Sequence, residues 1–227
     1  MIIFYAKNAE DVILSSILKH YNPDALLREY SDNTDVICIA KMHNDSHFIR
    51  VKDYKIAILS NYICPVWIKN DSRVKFVELI LAHKHTSPHE LINFLAEHLF
   101  HPEELFYSSL DRTRMFKTRI NEVLKELNTF KRLSRKFIKN DILYYEINPE
   151  HNIAELFTND LRKNVTEPFI VLKGDEAIIA NAEELGFKKD VVKTSRFDAF
   201  RIKRAECVKP FRKKIINPTL PTRICEF

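Results

Sequence analysis

The order of hydrophobic and polar positions predicts a strand and a helix at the N-terminus, followed by several short apolar runs. Residues 2–6 are apolar and predict a strand, and residues 9–20 carry apolar side chains at helical spacing. Asn22 and Pro23 end this helix, and a short second helix is expected over 24–30. Further strands, separated by turn-forming Asn and Asp residues, are expected over 36–41, 47–51, 55–60 and 66–69.

The patterns in the rest of the chain alternate between the two periodicities. Residues 75–82 are strongly apolar and predict a buried strand. Ser87, Pro88 and Glu90 have the spacing of a helix N-terminus, which predicts a helix to about residue 100. A long amphipathic helix is expected over 111–133. The remaining expected elements are a strand at 142–147, a helix at 152–162, a strand at 169–172, a helix at 175–185 and one or two strands at 188–204.

This alternation predicts an α/β protein with a mixed, twisted sheet flanked by helices and a helical insertion. Its expected parts, forming separate domains or one continuous domain, are an N-terminal α/β part (1–110), a basic helical segment (111–139), a C-terminal α/β part (140–209) and a tail (210–227).

Composition excludes several classes of site. The chain has two glycines, Gly174 and Gly186, where an ordinary composition would supply about sixteen. Gly-rich phosphate loops, dinucleotide fingerprints and nucleophile elbows are therefore excluded, since each needs several glycines. Both glycines are expected at the ends of the predicted helix over 175–185. We expect no cofactor.

Cysteine spacing and hydropathy favour a cytoplasmic protein. The four cysteines, Cys38, Cys64, Cys207 and Cys225, are far apart and form no CxxC pair, which favours free thiols in a reducing compartment. No apolar run approaches the ~20 residues that span a bilayer, so no membrane partner is expected.

The net charge of +5 is concentrated in the second half of the chain. Residues 1–110 have a net charge of −3 and residues 111–227 one of +8. Such asymmetry favours a polyanionic partner. The expected nucleic-acid-binding residues are Arg112, Arg114, Lys117, Arg119, Lys131, Arg132, Arg135 and Lys136. The nearby aromatic residues, which would stack on bases or belong to the core, are Tyr107, Phe137, Phe197, Phe200 and Phe211.

Histidines are concentrated in residues 83–101, but their spacing matches no metal motif. We expect no metal site. The alternative set of ligands is His83 and His85 on one face of a strand, with His89 or Glu78 as the third. Otherwise these histidines are solvated at the ends of a helix. The paired carboxylates are sequence neighbours that diverge on a helix, so no catalytic residue is identified.

Residues 169–204, FIVLKGDEAIIANAEELGFKKDVVKTSRFDAFRIKR, resemble the last strand, helix, Gly-Phe turn and strand pair of the GNAT acyltransferase superfamily. The resemblance implies a GNAT-like or related scaffold, in which residues 101–168 are an insertion. The family's acyl-CoA loop would fall on residues 83–88, HKHTSP, which contain no glycine, and its tyrosine acid would fall on Ala182. The resemblance therefore implies lost catalysis, a different donor or a binding module.

The leading interpretation is a cytoplasmic accessory protein, of phage or viral type, that engages nucleic acid through its basic second half. One alternative is a transferase of an acyl or related group that modifies a base, an amine or a protein side chain. Another is an interaction or inhibitor module whose basic face meets an acidic protein partner.

Overall fold

A computed structural model describes residues 1–30, 48–51, 71–101 and 110–203. Within these ranges the chain has the predicted mixed α/β fold, with parallel and antiparallel strands flanked by helices. The strands form two sheets in two compact units. The first unit is Met1–Leu133 with Pro149–Phe157, and the second is Ser134–Asn148 with the described residues from Thr158 onward.

The first unit is built on a three-stranded parallel sheet. Its central strand is β1 (Ile2–Tyr5), which pairs with β2 (Leu26–Glu29) on one side and β3 (Phe48–Arg50) on the other. Every residue of β1 is fully buried, as expected for an apolar strand covered on both faces. Helix α1 (Ala9–Tyr21) follows, and the Asn8 side chain caps it by accepting from the N–H of its third residue at 2.8 Å.

Three further helices complete the first unit. They are α2 (Asp71–Ala82), α3 (Pro88–Glu97) and α4 (Asp111–Leu133). Helix α1 packs against α2 and α3, and α2 packs against α4. The buried rings of Phe94 and Phe116 meet at a centroid distance of 4.9 Å, which anchors α4 in the same apolar core.

The second unit contains a five-stranded mixed sheet. In spatial order its strands are β4 (Arg135–Lys139), β5 (Ile142–Ile147), β6 (Phe169–Lys173), β7 (Glu176–Ala180) and β8 (Val191–Ser195). The β5–β6 pair is parallel and the other neighbouring pairs are antiparallel. Strand β4 is therefore an edge of the sheet.

Short helical segments cover this sheet. A 3-10 turn, Ala182–Leu185, follows β7, and α6 (Arg196–Ala199) follows β8. The hydroxyl of the buried Tyr144 donates to the carbonyl of Ala199 at 2.9 Å, which holds α6 on the sheet. The connecting helix α5 (Ala154–Arg162) contains the division between the two units.

The two tightest hairpins use left-handed residues. Asn140 and Asp141 join β4 to β5 with φ of 52° and 60°, the signature of a type I′ turn. Gly174 and Asp175 join β6 to β7, and there the positive φ of 57° belongs to Gly174, as in a type II′ turn. Gly186, with φ of 86°, ends the 3-10 turn. The sequence predicted that the two glycines lie at the two ends of one helix, and this prediction was wrong.

Four predicted elements were wrong. The expected helix over 24–30 is strand β2, and the expected strand over 75–82 is part of α2. The expected helix over 175–185 is β7 and the 3-10 turn, and the expected strands over 188–204 include α6. Short apolar runs fit either periodicity, so tertiary pairing decided them.

The predicted strands over 36–41, 55–60 and 66–69 and the tail over 210–227 lie outside the described residues, as do all four cysteines. Among the helices that the structure describes, none has both the length and the apolarity needed to cross a bilayer. The predicted basic segment 111–139 is divided between the units: α4 belongs to the first and β4 to the second.

The left-handed conformation of Asp141 costs free energy, because its Cβ crowds the backbone, whereas glycine has no such cost. Asp141→Gly should raise the free energy of unfolding of the second unit by about 0.5–1 kcal/mol, after the larger backbone entropy of glycine in the unfolded chain is subtracted. Urea unfolding at constant m-value measures the change. Asp175→Gly is the matched control: Asp175 has no positive φ, so this change should be slightly destabilising. Equal effects at both positions would contradict the strain argument.

The buried hydroxyl of Tyr5 finds no hydrogen-bond partner among the described residues. Burial raises the pKa of Tyr5 above its ordinary value, so the hydroxyl is neutral and its desolvation is uncompensated. Tyr5→Phe should therefore leave the free energy of unfolding unchanged or raise it by about 1 kcal/mol. A loss of more than about 1 kcal/mol in urea unfolding would show that the hydroxyl has a partner.

Candidate functional site

A group of two histidines and one carboxylate forms at the end of α2. His83 Nε2 lies 2.8 Å from Oε2 of Glu122, and the ring centroids of His83 and His151 are 4.5 Å apart. One potential ligand atom from each of the three side chains lies within 4.8 Å of the others. Both histidines are buried, whereas the Glu122 side chain is 53% exposed.

Three elements of the first unit position these side chains. His83 directly follows α2, Glu122 projects from α4, and His151 precedes α5. The Asn152 N–H donates to the carbonyl of Ala82 at 2.7 Å, so the residue after His151 is bonded to the residue before His83. This backbone hydrogen bond brings the two imidazoles together although they are far apart in sequence.

Backbone hydrogen bonds orient both imidazole rings. The N–H of His85 donates to Nδ1 of His83 at 3.3 Å, and the N–H of Lys84 donates to Nδ1 of His151 at 3.4 Å. Because Nδ1 of His83 accepts, its proton lies on Nε2, which donates to Glu122. Burial lowers the pKa of His83 below its ordinary value against the opposing effect of Glu122, which favours the neutral imidazole.

A second layer of polar contacts supports the loop that carries His151. The two carboxylate oxygens of Glu126 accept from the backbone N–H groups of Glu150 and His151, at 2.5 and 3.0 Å. The Lys84 ammonium forms an ion pair with Glu150 and lowers the pKa of that carboxyl. An open cleft of about 660 Å³ is lined by all of these side chains together with His85, Lys125, Thr129 and Phe130.

The histidines predicted from the sequence as alternative ligands do not converge. The His85 ring lies 5.7 Å from the His83 ring and lines the cleft, but it is not part of the three-residue group. His89 Nε2 instead contacts the carbonyl of Leu27 at 2.9 Å. Residues 75–82 are helical, so the expected strand geometry does not exist, and Glu78 pairs with Lys75 on α2.

Sequence reasoning missed Glu122 and His151. Glu122 had a partial signal, because it is one of three acidic residues in the strongly basic segment 111–139. His151 had no sequence signal, since a single histidine before a helix matches no motif. Its position beside His83 depends on the backbone hydrogen bond from the Asn152 N–H to the Ala82 carbonyl.

The arginines in the first half of α4 that were predicted to bind phosphates form ion pairs with carboxylates. These ion pairs are Arg112 with Glu97 at 3.0 Å, Arg119 with Glu90 at 3.2 Å and Arg114 with Asp111 at 3.9 Å. The Arg119 side chain is only 15% exposed. Among the described residues, Lys117 and Arg132 have no such partner, and Lys131 is partly buried.

In the second unit, several cations lie over aromatic rings on one face of the sheet. Phe137 stacks on Tyr144 at 5.1 Å, and Phe200 lies 5.5 Å from the same Tyr144 ring. Around these three rings, the cation-to-centroid distances are 5.9 Å for Arg135 over Phe137, 4.2 Å for Lys139 over Phe200 and 5.5 Å for Arg196 over Phe200.

An exposed aromatic side chain borders this group. Phe197 is 63% exposed, and the Arg201 guanidinium lies 4.0 Å from the centroid of its ring. Glu146 accepts from Arg135 at 3.4 Å and from Arg196 at 2.5 Å, so part of the positive charge is compensated. Lys136, also predicted from the sequence, lies over the Tyr145 ring at 5.5 Å. Tyr107 and Phe211 lie outside the described residues.

Comparisons with known proteins name no family. No family model matches the chain, and no curated protein matches it. Among solved structures, a pGpG-specific phosphodiesterase, PggH, from Vibrio cholerae is similar with a TM-score of 0.43 and 8% sequence identity, over 88% of this chain and 95% of that one. A similarity of that degree carries no functional argument. The GNAT resemblance stays a prediction, without the helix expected at 175–185.

Glu126 is expected to stabilise the loop that carries His151, because a carboxylate with two backbone donors makes stronger hydrogen bonds than a neutral amide. Glu126→Gln should cost about 1–2 kcal/mol of unfolding free energy and speed amide hydrogen exchange at His151. Lys125→Gln, at the exposed neighbouring position, is the control and should change neither quantity. Unchanged exchange in Glu126→Gln would mean that other contacts hold the loop.

Proposed function

We propose that this chain binds single-stranded nucleic acid through the basic aromatic face of its second unit. We define this face by Arg135, Phe137, Lys139, Arg196, Phe197, Phe200 and Arg201. The observation that carries the proposal is Phe197, a large aromatic side chain that is 63% exposed with a guanidinium 4.0 Å from its ring centroid.

The chemistry of single-stranded nucleic acid matches both components of this face. Phosphates attract the cations and release counterions, and unpaired bases stack on accessible aromatic rings. Phe197 has its ring in solvent, and burying it against a base would remove exposed apolar surface from water. A duplex hides its bases, so the exposed ring favours a single strand as the partner.

Charge compensation favours this face over helix α4. On α4, three of the predicted arginines have carboxylate partners, and Arg119 is largely buried. In the second unit, Glu146 pairs with Arg135 and Arg196. Lys139 and Arg201 instead lie over aromatic rings, whose quadrupole attracts a cation without cancelling its charge. These two cations therefore remain able to attract phosphates.

We further propose that the protein acts in the cytoplasm as an accessory factor for nucleic-acid metabolism. Its four cysteines are far apart in sequence and form no CxxC pair, which favours free thiols in a reducing compartment. No contact among the described residues specifically favours the transferase or the inhibitor alternative.

Binding should weaken when the cations or the exposed ring of the face are removed. Lys139→Gln with Arg201→Gln should lower affinity for a fluorescent single-stranded oligonucleotide and reduce the slope of log K against log salt by roughly 1.4, about 0.7 per phosphate contact. Phe197→Ala should cost about 1–3 kcal/mol of binding free energy with little change in that slope, because it removes stacking rather than charge. Fluorescence anisotropy in a salt series, with DNA, RNA and duplex probes, measures both effects.

The matched control changes two α4 cations from the predicted phosphate-binding set that lack carboxylate partners among the described residues. Lys117→Gln with Arg132→Gln removes the same formal charge from the first unit, and the proposal expects it to retain most of the affinity. Loss of binding in this control alone would transfer the function to α4 and contradict the proposal. Absence of oligonucleotide binding by the unmodified chain would also reject it.

A further inference from the structure

We propose that His83, Glu122 and His151 form a binding site for a divalent transition-metal ion, of which Zn²⁺ is the best match. The site belongs to the first unit and is independent of the nucleic-acid proposal. Two imidazoles and one carboxylate are a donor set found in zinc sites that keep a fourth position for water or another small ligand.

The donor atoms are close enough for one ion. All three lie within 4.8 Å of one another, and His83 Nε2 is 2.8 Å from Glu122 Oε2. Zinc bonds of about 2.0–2.2 Å in a tetrahedron separate ligand atoms by roughly 3.3–3.6 Å, so small side-chain rotations suffice. The Glu122 side chain, 53% exposed, has room for its share of that movement.

The surroundings supply the support that metal sites need. The rings of His83 and His151 are buried, and their centroids are 4.5 Å apart, so close packing limits their motion. Glu126 holds the backbone of His151, and the Asn152 N–H holds the end of α2. Restrained imidazoles lose little conformational entropy on binding, and the exposed carboxylate contributes the negative charge that favours a cation.

The hydrogen bonds of the two imidazoles define what metal binding must change. Nδ1 of each histidine accepts a long backbone hydrogen bond, at 3.3 Å for His83 and 3.4 Å for His151. His83 faces Glu122 with Nε2, and coordination through that atom requires the proton on Nδ1, so this ring exchanges its tautomer through solvent. The long hydrogen bond to Nδ1 of His83 is then lost, and a coordinate bond to the ion replaces it.

Access and ligand type select the ion. All three side chains line the open cleft of about 660 Å³, so an ion from solvent reaches them without unfolding of the core. Imidazole nitrogens favour zinc and its neighbours in the transition series, whereas Mg²⁺ and Ca²⁺ prefer sites built from oxygen ligands. A site with two nitrogen donors should therefore discriminate against Mg²⁺.

The test uses the full chain, freed of metal by chelation and kept reduced, and titrated with Co²⁺ and then with Zn²⁺. Co²⁺ should bind with a stoichiometry of one at this site, give visible bands of tetrahedral or five-coordinate geometry without the near-ultraviolet charge transfer of thiolate ligands, and be displaced by Zn²⁺. Mg²⁺ should not displace it. The absence of thiolate bands distinguishes this site from the four cysteines.

Variants then assign the ligands. His151→Gln and Glu122→Gln should each weaken Co²⁺ affinity at least about tenfold and change the visible spectrum. His89→Gln is the matched control, because His89 contacts the Leu27 carbonyl and is not part of the group. Circular dichroism checks the fold of each variant, and exposed Glu122 keeps the test valid if His151→Gln does not fold. The proposal would be overturned if Co²⁺ gave no visible bands of tetrahedral or five-coordinate geometry with the unmodified chain. Equal Co²⁺ affinity in Glu122→Gln and His89→Gln would also overturn it.

Discussion

The backbone hydrogen bond from the Asn152 N–H to the Ala82 carbonyl, 2.7 Å long, determines the arrangement of the cleft in the first unit. It joins the segment before α5 to the end of α2, and the side chains on both segments are placed as a consequence. His151 then receives the Lys84 N–H, and its own N–H reaches Glu126 on α4. A contact between two main chains, independent of side-chain identity, thus creates a chemically specific group.

Glycine scarcity imposes a different constraint on the second unit. Two-residue hairpins need positive φ values, and the chain supplies one glycine for that purpose, Gly174. Asn140, Asp141 and Asn181 adopt the left-handed conformation elsewhere. Asn140 offsets part of the cost, because its side-chain amide donates to the carbonyl of Ile202 at 3.0 Å and thereby ties the hairpin to the segment after α6. The turn therefore also orders the aromatic face.

The sequence correctly predicted elements that have a clear hydrophobic pattern of their own. Helix α4 has many turns of consistent periodicity, and strand β1 is a continuous apolar run, so both were predicted close to their observed bounds. Residues 75–82 and 175–185 were predicted wrongly, because a short apolar run fits a strand or a buried helix equally well. In the candidate metal group, His83 was one of the alternative ligands, although the sequence predicted no metal site. Glu122 and His151 were not, since only tertiary packing joins them to it.

The distribution of positive charge shows why a segment's net charge is a poor guide to a binding surface. Residues 111–139 contain ten basic side chains and three acidic ones, yet folding brings Glu90 and Glu97 from α3 to Arg119 and Arg112. An ion pair cancels the long-range field of its cation, whereas a ring beneath a cation leaves that field almost intact. A polyanion therefore senses cations such as Arg201 and Lys139, which lie over rings, more strongly than a count of basic residues suggests.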